Sequence, residues 1–321
     1  MNLASIVQCP ACRGHLAARE ESFACERCGK TYAVRSGIPC FAEPDPFYDQ
    51  YADVHCPFSE TPKGVKAAIL RAIPFWSHRE WRFWRDAIPR GGRLLDIGAG
   101  RGKEIFIERA AETVGLDGSL AFLAGCAEHY NAAVLASLPR LPFADATFDV
   151  VASSHVLGHI PLDDKEELTA EIARVLRPGG VTAHIIETDS EHATMRAAKS
   201  RPELYRKWLI DQDGHIGLEL ADRVVERFAR HGFKLRLRRF VDAIVPSVMY
   251  YKKHLEHPGY EDLPHVGWTR ALDRLNASSH AGNLAYEVGL GTFHRTIEQW
   301  LGRPNTANFI HVAFEKVDPP A

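Results

Sequence analysis

Residues 94–102 read Leu-Leu-Asp-Ile-Gly-Ala-Gly-Arg-Gly, an apolar run that passes directly into three glycines at alternate positions. No other stretch restricts the fold more. The apolar residues predict a buried strand, and the glycines allow the positive φ and close ligand approach of a tight strand-to-helix turn. Residues 105–111 then carry a helical apolar pattern, and residues 113–116 form a second buried strand. Strand, turn, helix and strand in this order predict a parallel sheet with crossover helices.

The same alternation continues. Residues 148–152 make a short strand, and Asp163 or Asp164 caps a helix that places Leu168, Ile172, Val175 and Leu176 on one face. Pro178, Gly179 and Gly180 stop that helix, and residues 181–186 resume as a strand. Further strands are expected over 233–240 and 309–314, with a helix over 221–231 ahead of them. Upstream, residues 65–88 have helical spacing that Pro74 breaks into two helices. Residues 241–305 form an insert rich in rings, among them Tyr250, Tyr251, His254, His257, Trp268, Tyr286, His294 and Trp300. It lies between the last two strands and is expected to be helical and to cover an acceptor.

A separate unit precedes the sheet. Cys9, Cys12, Cys25 and Cys28 form two Cys-x-x-Cys pairs with twelve residues between them. Each pair aims two thiolates at one point, and the two together make the tetrahedral sulfur cage that structural zinc prefers. A redox dithiol would need one pair opening a helix in a thioredoxin-like unit, for which this segment is too short. The run Glu43-Pro44-Asp45-Pro46 ends the unit. The expected division is a zinc ribbon over 1–43, linking helices over 44–90 and a catalytic domain over 91–321.

The second strand of the alternation ends at Asp117, about twenty residues after Asp96, where a carboxylate can accept both hydroxyls of a ribose. On these residues alone a nicotinamide enzyme stays open, because it uses the same carboxylate. The remaining pattern separates the two: residues 141–151 read LPFADATFDVV, followed by SSHVLGHI and RVLRPGGV.

With those motifs the chain resembles the class I S-adenosylmethionine-dependent methyltransferases, of the methyltransferase-11 type, over residues 92–190. The first 42 residues resemble the Trm112-like zinc ribbons, which occur as free activators of methyltransferases and fused ahead of them. The resemblance implies a Rossmann-like doubly wound α/β sheet, mostly parallel with the last strand antiparallel, and S-adenosylmethionine as cofactor beside a structural zinc ion. It implies that Gly98, Ala99 and Gly100 lie beneath the methionine part and ribose, that Asp117, with Gly118 beside it, binds the ribose diol, and that Ser153 lies near the methionine end. Ser137 and Leu138 would flank adenine; the family often has an aspartate at the Ser137 position, so here a hydroxyl or the backbone serves. Asp96 is equally a ligand or a buried carboxylate that braces the glycine loop.

His155 follows the fourth strand of the sheet where such a fold opens onto the methyl group, which makes it the first candidate for a base or an acceptor-orienting residue, with His159 second. A packed or solvated histidine is the alternative for either, in a chain with 16 histidines. The 321 residues carry a formal net charge of −2, which gives no bulk attraction to nucleic acid or to an anionic membrane. No run approaches the roughly 18 apolar residues of a membrane helix, so a cytoplasmic protein is expected. The favoured reading is methyl transfer to a small-molecule or saccharide acceptor at oxygen. An RNA methyltransferase is the runner-up, encouraged by the ribbon and by Lys234, Arg236, Arg238 and Arg239, and a non-catalytic ribbon protein is third.

Overall fold

The computed structural model describes residues 1–49, 57–245 and 256–317. The glycine-rich turn sits in the larger of two sheets, built from β5 (Arg93–Ile97), β6 (Glu112–Asp117), β7 (Ala132–Leu135), β8 (Phe148–Ser154), β9 (Leu176–Glu187), β10 (Phe233–Val241) and β11 (Phe309–Lys316). Its strand order is β10-β11-β9-β8-β5-β6-β7, all neighbours parallel except β11, which runs antiparallel to both β9 and β10. The expected doubly wound sheet with an antiparallel last strand is what the chain forms. From β5 the chain moves outward through β6 and β7, then returns to lay β8 on the other side of β5. Ligands in such sheets bind beyond the carboxyl ends of the strands at this reversal.

Two elements differ from the sequence expectation. Pro178, Gly179 and Gly180 do not lie outside the strand: the helix Lys165–Val175 ends earlier, and residues 177–180 form an irregularity within β9 between the pairs Phe148–Leu176 and Val150–Val181. Asp164 stands at the helix N-cap, but no cap bond from its side chain forms. The strand β7 and the helix Leu120–Ala127 before it carry no motif and are missing from the sequence reading, although Ser119 caps that helix by accepting from the Phe122 amide.

The N-terminal unit is a four-stranded antiparallel sheet, β1 (Leu16–Ala18), β2 (Ser22–Cys25), β3 (Thr31–Arg35) and β4 (Ile38–Pro39). It does not hang free. Ile6, Val7, Leu16, Phe23 and Phe41 belong to one buried cluster with Val134, Ala136, Leu141 and Phe143 of the larger domain. Cys40 pairs with Leu135 at the edge of β7, and Val7 pairs with Phe143.

A helical layer packs at the carboxyl ends of β9 and β10 and the amino end of β11. It comprises helices Ala193–Lys199, Pro202–Tyr205, Pro264–Ser278 and His280–Phe293, with a wide turn over Arg206–Gln212. The described part of the insert is helical as expected; Tyr250, Tyr251 and His254 lie outside the described residues. Pro74 splits the linking helices as expected, into Gly64–Ala72 and Arg79–Ala87. No described helix is long and apolar enough to cross a membrane.

Candidate functional site

Gly98, Gly100 and Gly102 all take positive φ (66°, 56° and 94°). At Gly98 the constraint is double, because a Cβ would stand 2.3 Å from Cγ2 of Val156. The loop after β8 therefore closes directly onto the loop after β5, at the reversal point of the sheet.

Asp117 ends β6 and is 8% exposed. Its Oδ2 accepts from the Gly100 amide and its Oδ1 from the Ser119 amide, each at 2.9 Å. A carboxylate has about four acceptor positions, so two backbone amides leave room for a diol. Burial raises its pKa, and the Gly100 and Ser119 amides counter that rise. The Ala136 amide donates to the Asp117 carbonyl at 3.1 Å, which places Ser137 and Leu138 beside it at the end of β7. Asp96 is fully buried, and its Oδ2 accepts from the Tyr130 hydroxyl at 2.9 Å. That hydroxyl in turn accepts from the Lys103 amide at 2.8 Å, so the pair braces the far end of the glycine loop. Asp96 Oδ1 is buried with no partner among the described residues, and burial raises the carboxyl to about 6.

A cover over this corner was invisible in the sequence, where residues 44–90 read as a linker. The Asp45 amide donates to the Gly118 carbonyl at 2.9 Å, and the Ser119 hydroxyl donates to Asp49 at 2.5 Å. The Tyr48 ring lies 3.8 Å from where a Gly118 Cβ would stand and meets His159 edge-on at 6.4 Å.

Across the crevice, His155 takes a left-handed φ of 59°, which turns its ring out of the strand direction. Its Nδ1 is bonded to Glu187, the last residue of β9, and its Nε2 lies 3.6 Å from Glu80 of the helix Arg79–Ala87. Arg79, 6% exposed, approaches the same Glu80 oxygen, Oε1, at 3.4 Å. Burial acts to lower the imidazole pKa, but the charge and hydrogen bond of Glu187, with those of Glu80, raise it to about 9. His155 is thus a cation at neutral pH. Neither glutamate carries a motif; the only available sign for Glu187 is its place as the first charge after an apolar strand.

The other expected residues are placed as follows. His159 turns away from His155, with Nδ1 3.1 Å from the Gly214 carbonyl and its ring stacked on buried His215 at 4.7 Å. The Ser153 hydroxyl does not face the crevice: it bonds His184 Nδ1 at 2.7 Å inside the sheet–helix core, where His184 packs on Phe228. Residue alternation along β8 forces this, since the neighbouring positions face the opposite layer. The Ser153 hydroxyl is thus engaged in the core.

The four thiols converge. Their Sγ atoms all lie within 4.8 Å of one another, with Cys9–Cys28 at 3.7 Å and Cys12–Cys25 at 3.4 Å. A zinc tetrahedron with bonds of about 2.3 Å has edges of about 3.8 Å, so the donor set and its spacing fit the ion. Gly14 is required beside it, because a Cβ there would meet Cys25 Sγ at 3.0 Å and Arg27 Cβ at 2.7 Å.

Comparison with known proteins agrees with this geometry. Residues 95–184 match the family described as a methyltransferase domain. The chain is 34% identical over 180 residues to a malonyl-[acyl-carrier protein] O-methyltransferase of Enterobacter lignolyticus, covering 51% of this chain and 66% of that protein. It is 25% identical over 118 residues to an Arabidopsis thaliana tRNA (carboxymethyluridine(34)-5-O)-methyltransferase, covering 36% of this chain and 29% of the other. Among solved structures, a complex between the Haloferax volcanii Trm112 methyltransferase activator and a methyltransferase matches with a TM-score of 0.50 and 15% identity. The match covers 86% of this chain and all of that one, and it concerns the fold.

Proposed function

Since residues 95–184 carry a methyltransferase domain of the S-adenosylmethionine-dependent, methyltransferase-11 type, with a four-cysteine ribbon ahead of it, we propose that the protein methylates an oxygen of a compact small-molecule or saccharide acceptor. The observation that carries this reading is the bonding of His155 to Glu187 through Nδ1, which leaves Nε2 3.6 Å from Glu80 on a side chain still 38% exposed. Bound S-adenosylmethionine supplies an activated methyl group on its sulfonium, so the protein's task is to align the acceptor and exclude water.

The residues present fit that cofactor. Asp117 would accept the ribose diol, the positive-φ Gly98-to-Gly100 turn would allow the close backbone approach, and the unpartnered Asp96 Oδ1 would offer a buried acceptor. Gly118 lies under Tyr48, and Ser137 and Leu138 border the adenine end. On the acceptor side, Glu187 orients His155, whose Nε2 takes the hydroxyl proton once the imidazole is neutral and donates a hydrogen bond while it is charged. A cytoplasmic location is part of this proposal, supported by thiols whose spacing suits zinc and which a reducing compartment keeps free of disulfides.

An RNA acceptor draws support from the tRNA-modifying relative, but its basic strand is dispersed. Arg238 lies 3.7 Å from Asp222, Arg236 3.7 Å from Glu315, and Arg239 2.6 Å from Asp86. A methyl label transferred from S-adenosylmethionine into cell extract, then split into RNA, protein and small-molecule pools, tests the reading. Label in the small-molecule pool supports it; label confined to RNA overturns it.

A further inference from the structure

The ribbon touches more than the edge of the catalytic sheet. After β4 the chain runs beside the end of β7: the Phe41 amide donates to the Leu135 carbonyl at 2.8 Å, and Asp45 is tied to Gly118 four residues later. The first knuckle grips the far side of the same loop, with the Gln8 amide on the Pro142 carbonyl at 3.0 Å and the Ala144 amide on the Ile6 carbonyl at 2.8 Å. Arg13 reaches Glu171 at 3.0 Å, and Glu171 accepts from the Leu141 amide at 3.0 Å. Residues 136–141 are therefore held at both ends by the ribbon and its exit strand.

Between these parts lies a cavity of about 210 Å³, lined by Pro10, Phe41 and Ala42 on one side and by Ala136, Ser137 and Leu138 on the other. It is smaller than the roughly 300–1,000 Å³ of pockets that enclose a whole drug-sized ligand, so it suits one flat ring system of a larger molecule. Its walls are apolar apart from the Ser137 hydroxyl, the Arg140 side chain and the backbone, and its Ala136 amide is the one that donates to the Asp117 carbonyl at 3.1 Å.

We infer that the ribbon and its exit strand complete the purine subsite, with Phe41, Ala42 and Pro10 forming the wall opposite Ser137 and Leu138. The inference rests on the cofactor placement above and assigns the ribbon a direct part in binding adenine, beyond stapling the fold. The chain's lack of an aspartate at position 137 is then offset by shape: a purine closed in from both sides needs less from a single hydrogen bond.

Photolysis of 8-azido-S-adenosylmethionine on the full-length wild-type protein, followed by peptide mapping, tests this directly. Label in both the 38–45 and 136–140 segments is expected; label in 136–140 alone overturns the inference and leaves the cofactor placement standing. Label in neither overturns both. In parallel, Ala42→Trp should weaken S-adenosylhomocysteine binding by about tenfold or more by calorimetry while zinc content and thermal unfolding stay at wild-type values. Unchanged affinity in a folded variant sinks the proposal, and Asp117→Ala, which must weaken binding in either case, shows whether the cofactor placement itself holds.

Discussion

The two sides of the crevice are built by different means. On the β5–β7 side the backbone does the work: three positive-φ glycines, one buried carboxylate satisfied by two amides, and a loop clamped by the ribbon. On the β8–β11 side, side chains from distant segments meet, with Arg79 and Glu80 from the linking helices, His155 from β8 and Glu187 from β9. Backbone devices tolerate few residue types and so leave a pattern in the sequence. A cluster of charges brought together by tertiary packing leaves none.

The comparison breaks most severely if the metal is removed. Structural zinc in small modules contributes on the order of 10–16 kcal/mol of folding free energy, and here the ribbon shares its core with Val134, Ala136 and Phe143. Chelation should lower the thermal midpoint and strip hydrogen-exchange protection from residues 6–41 and 132–144, while β9 and β11 keep theirs. Uniform loss of protection across both sides would show that the ribbon supports the whole sheet, and no zinc in the purified protein would remove the premise.

His155→Ala attacks the other side. It should bind S-adenosylmethionine nearly as wild type yet lose about 100-fold or more in turnover on a hydroxyl acceptor, within the ~10²–10⁴ attributable to a positioned base. The carboxylates raise the imidazole to about 9, so the neutral, proton-accepting form grows as pH rises, and the wild-type rate should climb from pH 6.5 toward 9. Glu80→Gln should move that limb to lower pH. The linked stability has the opposite sense: it is fully present below about 6.5, the unfolded value, and is lost as pH rises through about 9. A flat wild-type profile across this range, or full activity of His155→Ala, would remove the base assignment.

How much was legible follows from this division. The parallel sheet with its antiparallel last strand, the glycine turn and the thiol cage were readable because spacing dictates geometry there. The bonding of Ser153 to His184 was not, because which face of β8 points outward depends on neighbours contributed by β9 and the helix Ala221–Arg230. Glu80 lay in a helix whose aromatic residues dominated the pattern, and Tyr48 in a segment that prolines marked as a boundary. Trp84 of the Glu80 helix is buried edge-on against Phe106 at 5.0 Å.

Asp117→Ala measures the backbone-built side. Losing a buried charged acceptor should weaken S-adenosylmethionine by ~1.5–3 kcal/mol, read by calorimetry, with thermal stability lowered less because the Gly100 and Ser119 amides can turn to water. Equal affinity in a folded variant would relocate the cofactor and with it the whole contrast between the two sides.

The smallest effect is expected on the basic strand, and it sharpens the acceptor side. Lys234, Arg236, Arg238 and Arg239 look like one positive stripe in the sequence, but alternation along β10 sends Arg238 and Arg239 to opposite faces, each opposite its own carboxylate. Exposed pairs of this kind contribute ~0–1 kcal/mol, so the triple substitution of Arg236, Arg238 and Arg239 by Ala should shift the thermal midpoint by only a few degrees. If the stripe served single-stranded RNA, each lost phosphate contact would reduce the salt slope of RNA binding by about 0.7, and the triple variant would bind RNA with a slope lower by about two. The expected result is no such change, with methyl label in the small-molecule pool undiminished. A collapse of the slope together with loss of label from RNA would make the β8–β11 side a nucleic-acid surface.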